Sequence, residues 1–95
     1  MVETLTFHLV AGADEAAFLY ADRRVQTEVV PHHPGFLRRT TARGDQGEWL
    51  VVVLWRQEAD AEASLRIAEE HDAQRGFMAL VDPATVRSRR YKTLD

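Results

Sequence analysis

"GEWLVVVLWRQEADA", residues 47–61, is the stretch that decides the fold. Seven apolar residues run from Trp49 to Trp55 and stop at a charged segment that reads as the start of a helix. Bounded on its N-terminal side by the hairpin-length loop "GDQG" (44–47), the run reads as a strand. Alternation then puts Trp49, Val51, Val53 and Trp55 on one face and Leu50, Val52 and Leu54 on the other. Both faces are apolar, and something must cover each.

The flanking sequence supplies the cover for one of them. Residues 4–10, "TLTFHLV", alternate, with Leu5, Phe7 and Leu9 pointing one way and Thr4, Thr6 and His8 the other. After the turn "AGAD", Asp14 is placed to cap a helix. Phe18, Ala21, Val25 and Val29 form that helix's apolar stripe, and Pro31 is expected to end it. "HHPG" reads as a turn and "FLRRTTAR" as a polar edge strand. Beyond the central run, Asp60 is a candidate cap for a second helix whose positions Ala61, Leu65 and Ala68 share a face. "DAQRGFMALVDP" adds a helical turn or two with Phe77 and Leu80, stopped by Pro83, and "TVRSRRYKT" reads as a last, partly exposed strand.

The order βαββαβ in one 95-residue domain predicts an α+β, ferredoxin-like fold. In it the first and third strands lie side by side in a four-stranded antiparallel sheet, and both helices pack on one face. The other face is bare. Leaving four large apolar side chains wet would forgo on the order of 6–12 kcal/mol, an upper figure comparable to the stability of a small domain. A second copy, sheet against sheet, is the expected solution, giving a homodimer.

Composition narrows the function. With 45% apolar and 28% charged residues the chain is an ordinary globular protein. Its net charge of −3 argues against nucleic acid, whose phosphates reward a surplus of Lys and Arg. There is no cysteine, which removes disulfides, thiolate chemistry and Cys-ligated zinc. "MVETLTFHLV" lacks the pattern of a signal peptide, and no apolar run approaches the ~20 residues of a membrane helix. A cytoplasmic location without membrane partners is expected.

"TLTFHLVAGADEAAF", then "PGF", then a hydrophobic strand ending "LWRQEADA", resembles the dimeric α/β-barrel superfamily, and within it proteins of the antibiotic-biosynthesis-monooxygenase type. The resemblance spans nearly the whole chain. It implies that two sheets pair into a barrel and that each subunit keeps a pocket between its sheet and its helices. Members include cofactor-free oxygenases of polyketide quinones and haem-degrading oxygenases. The haem-degrading members carry a tryptophan and a haem-ligating histidine near positions held here by Leu65 and Arg75, and an asparagine near His8. All three differ, so haem degradation is a minor reading.

The quinone oxygenases imply a pocket with tryptophan, tyrosine, arginine and asparagine. Trp55 or Trp49 can serve as a wall, Arg89 or Arg87 as a cation and Tyr91 as a hydroxyl donor, while no Asn exists for the fourth role. His8, beside Thr6 on a central strand, titrates near neutral pH with a reference pKa of about 6.5. It is the candidate catalytic group, with hydrogen bonding at a dimer seam as its structural alternative. Thr6 and His71, the latter one helical turn from Arg75, complete the candidate substrate-binding set. His71 at a helix end also suits the helix dipole. His32 and His33 read as exposed loop residues, and their surroundings form no spaced metal-ligand set. Arg38, Arg39, Arg87, Arg89 and Arg90 can bind an anion or guard sheet edges.

Two functions follow. One is a cofactor-independent monooxygenase holding a small aromatic or enolisable substrate beside His8. The other is a non-catalytic, stress-associated or ligand-carrying dimer whose interior is filled by side chains.

Overall fold

The central strand sits where the sequence places it. The computed structural model describes residues 1–95, and β3, Trp49–Trp55, runs inside a four-stranded sheet of order β2-β3-β1-β4. β1 is Val2–Phe7, β2 is Phe36–Arg43 and β4 is Arg87–Tyr91. All neighbours are antiparallel. Along β3 every odd residue is buried and every even residue half-buried, which separates the helix-covered face from the open one.

Register assigns the remaining side chains. Phe7 pairs with Trp49, Leu5 with Val51 and Glu3 with Val53, so these β1 residues share the covered face. Arg39 opposite Val53 and Thr41 opposite Val51 do the same from β2, as Ser88 and Arg90 do from β4. The open face carries Leu50, Val52 and Leu54, flanked by Val2, Thr4, Thr6, Thr40, Arg89 and Tyr91.

Three helices cover the other side: α1 (Glu15–Arg24), α2 (Glu58–Glu69) and α3 (Asp72–Ala79). Pro31 does not stop α1. The α-helix ends at Arg24 and continues as a π-helical turn, Val25–Val29, which keeps Val25 and Val29 buried. Pro31, with no N–H to donate, falls in a closing 3-10 turn, Val30–His32. Asp14 occupies the N-cap position of α1 without a side-chain cap bond. α2 begins ahead of Asp60, with Gln57 at its N-cap. Asp60 instead lies in the first turn, where a carboxylate suits the helix dipole. The buried face of α2 is Ala61, Ser64 and Ala68, while Leu65 is 57% exposed.

Packing divides the interlayer space into two ends. At the Trp49 end, Phe7, Phe18, Phe77 and Trp49 form an aromatic cluster with ring centroids 4.7–5.9 Å apart. Phe7 meets Phe18 and Phe77 edge-on, the arrangement ring quadrupoles favour. At the Trp55 end Phe36 meets Trp55 edge-on at 5.9 Å, and beside them a cavity opens. No helix is long and apolar enough to cross a membrane.

Candidate functional site

The cavity lies between sheet and helices, is open to solvent on one side and has a volume of about 620 Å³, within the range of small-molecule sites. Leu5, Val51, Val53 and Trp55 form its floor, and Val25, Val30, Ala68 and Phe77 its apolar walls. Leu65 and Met78, both exposed, stand at its mouth between α2 and α3. The interior is therefore not packed solid.

Three polar groupings reach this space. The first is His33, which is 5% exposed. The turn at Pro34–Gly35 tucks its imidazole under α2, where Nδ1 lies 2.5 Å from Ser64 Oγ. The ring lies nearly parallel to Trp55 at 6.4 Å between centroids. Burial pushes the His33 pKa down from 6.5, and positive charge on His32 and His71 acts in the same direction. His33 is thus neutral at pH 7. Of the two loop histidines, His32 is exposed as expected, whereas His33 is a buried cavity residue.

A chain of polar contacts forms the second grouping. Trp55 Nε1 donates to Glu3 Oε1 at 3.2 Å, and Arg90 bridges Glu3 (3.5 Å) and Glu62 (3.2 Å). Arg39, 6% exposed, forms the third. Its Nη1 meets Asp22 at 2.8 Å and donates to Gln26 Oε1 at 2.9 Å and to Thr41 Oγ1 at 3.3 Å. Gln26 also donates to the Arg39 carbonyl at 2.8 Å, holding main chain and side chain together.

Of the residues singled out in the sequence, Trp55 lines the cavity. Trp49 is buried on the same sheet face but belongs to the aromatic cluster. Thr6, Arg89 and Tyr91 project from the open face, because alternation that buries Phe7 and turns Arg90 inward turns them outward. His8, exposed just beyond β1, borders Gly47 and does not line the cavity. The pocket that Trp55 faces is therefore not shared by His8, Arg89 or Tyr91, and the β4 cation at the cavity is Arg90. His71 is half-buried at the N-cap of α3, its Nδ1 accepting from the Ala73 N–H at 3.3 Å. That contact makes His71 the cap at the start of α3 rather than a residue at the end of α2. Leu65 and Arg75, which hold the two haem-associated positions, both line the cavity. No three histidines or carboxylates converge closely enough to ligate a metal ion.

His33, Ser64 and Arg39 were the residues that sequence patterns undervalued. Their one signal was placement: Arg39 shares the alternation phase of Thr41 on a strand bordering β3, and Ser64 lies one turn after Ala61.

No protein-family model and no curated protein sequence matches the chain. Solved structures do. SnoaB, a cofactor-independent oxygenase from Streptomyces nogalater, superposes with a TM-score of 0.79 over 99% of this chain and 92% of its own, at 16% identity. A candidate antibiotic biosynthesis monooxygenase from Nitrosomonas europaea gives 0.75 at 17% identity, covering 100% of both chains. Another from Bordetella bronchiseptica gives 0.76 at 13% identity over 98% of this chain and 97% of that one. This is the fold of the antibiotic biosynthesis monooxygenases. On this monooxygenase-type fold the cavity occupies the space between sheet and helices, with Trp55 at the end of the central strand as its one tryptophan.

Proposed function

We propose that the protein is a cofactor-independent monooxygenase of small aromatic or enolisable substrates, acting in the cavity between sheet and helices. The observation that carries this reading is a neutral, buried His33 beside the flat face of Trp55 in an apolar space of about 620 Å³. An electron-rich phenolate or enolate can pass an electron to O2 without a metal. The protein's tasks are to take a proton, exclude water and stabilise the resulting negative charge. His33 is the base. Trp55 in the floor and Phe77 in the wall are the aromatic surfaces against which a planar ring lies. The net change at an activated ring methylene is CH2 plus O2 giving C=O plus H2O.

The open sheet face belongs to the same proposal. Leu50, Val52 and Leu54 remain half-exposed in a single chain, and a second copy packed sheet to sheet covers them. Thr6, His8, Arg89 and Tyr91 then lie toward this seam.

Oxygen uptake tests the reading. With anthrone as probe in chelator-treated buffer, the protein consumes one O2 per anthraquinone formed, above the rate in buffer alone, and His33→Phe loses most of that excess. Binding of anthrone without oxygen uptake favours the ligand-carrying dimer instead.

A further inference from the structure

Arg39 makes all its side-chain bonds through one atom. Asp22, Gln26 and Thr41 all meet Nη1, and neither Nε nor Nη2 has a partner. Yet no buried side-chain nitrogen anywhere in the protein is left unpartnered. Nε and Nη2 therefore each keep some exposure despite the burial of Arg39, and Arg39 is one of the residues that line the cavity. The free edge of the guanidinium is the Nε–Nη2 fork, whose two parallel N–H bonds match the two oxygens of a carboxylate. Beside it lies an aromatic surface, with the guanidinium carbon 5.6 Å from the Phe77 ring centroid.

We infer that Arg39 is a carboxylate anchor, and that the ligand of this cavity is a flat aromatic ring bearing a carboxylate. The inference rests on the cavity being the ligand site and adds the chemical class of what it takes. Asp22 balances the Arg39 charge at the end of the guanidinium opposite the free edge, and Gln26 fixes the orientation of the group. A guanidinium held at one end and unspent at the other is pre-organised: the ligand gains two charge-assisted bonds without ordering a flexible side chain. Arg75 and Arg90, also in the wall, are engaged by Asp72 and by Glu3 and Glu62. They leave Arg39 as the arginine with a free, buried fork.

Calorimetric titration with 2-naphthoate and with 2-naphthalenemethanol, the same ring without the charge, tests this. The wild-type protein binds naphthoate at least tenfold more tightly. In Arg39→Met combined with Asp22→Leu, which removes both buried charges together, that preference falls toward one while the alcohol still binds. Arg39→Lys keeps a charge but not the fork, loses most of the preference, and decides the matter if the double variant fails to fold. Equal binding of both probes to the wild type, or a preference that survives loss of Arg39, overturns the anchor. Binding of the alcohol alone does so too and leaves the cavity as a ligand site. Binding of neither probe overturns both.

Discussion

His33 Nδ1 and Ser64 Oγ meet at 2.5 Å in the buried layer, joining the loop before β2 to the middle of α2 across 31 residues of sequence. The contact ties the covering helix to the loop before β2 through a ring that also lies nearly parallel to Trp55. Removing one partner leaves a buried polar group unsatisfied, which costs about 1–3 kcal/mol. Ser64→Ala should lower unfolding free energy by that amount in urea denaturation. His33→Phe with Ser64→Ala should cost less than the two single changes summed, because the pair fails as a unit.

The same histidine sets a pH dependence. Its folded pKa lies below the unfolded value of 6.5, so the unfolded chain binds the proton first. Stability is full above that value, falls as pH drops below it, and levels off once the folded state also protonates. Urea midpoints from pH 8 to pH 5 should show this loss, and His33→Phe should flatten it.

The Asp60 side chain, in the first turn of α2, lies close against Gly35. Gly35 has φ +79, and a Cβ built there would clash with the Asp60 side chain, its Cβ included. Left-handed backbone costs a residue with a Cβ roughly 1–2 kcal/mol, and displacement of Asp60 adds to it. Gly35→Ala should therefore destabilise the protein by about 2 kcal/mol or more, read from thermal or urea unfolding. Gly12→Ala, with φ +79 but nothing near its Cβ, should show the backbone part alone.

The open sheet face predicts an association. Val52, at the middle of β3 and half-exposed, lies between Thr4 and Thr40. The wild type should sediment as a dimer at micromolar concentration. Val52→Lys should sediment as a monomer with an unchanged circular dichroism spectrum, since its side chain leaves the core untouched.

How much of this was legible beforehand follows from what each signal measures. The β3 run, its two faces, the edge character of β2 and the βαββαβ order come from period and burial, which the sequence states directly. Helix boundaries were less legible because packing overrides local signals: Val25 and Val29 draw the chain past Arg24 in a wider turn, through the reach of Pro31. The site was least legible. Arg38 and Arg39 look alike in sequence, and only strand phase makes one exposed and the other buried with Asp22. His32 and His33 likewise differ only in place, His32 being the last residue of a 3-10 turn and His33 its C-cap, and no composition rule distinguishes them.

Where the chemistry sits is the central claim, and two substitutions assayed together test it most directly. Ala68→Phe puts a ring into the cavity from α2, whereas His8→Ala alters an exposed side chain outside it. If the cavity is the site, anthrone-dependent oxygen uptake is abolished in Ala68→Phe and kept within about twofold in His8→Ala. Loss of uptake in His8→Ala with full uptake in Ala68→Phe would contradict the account.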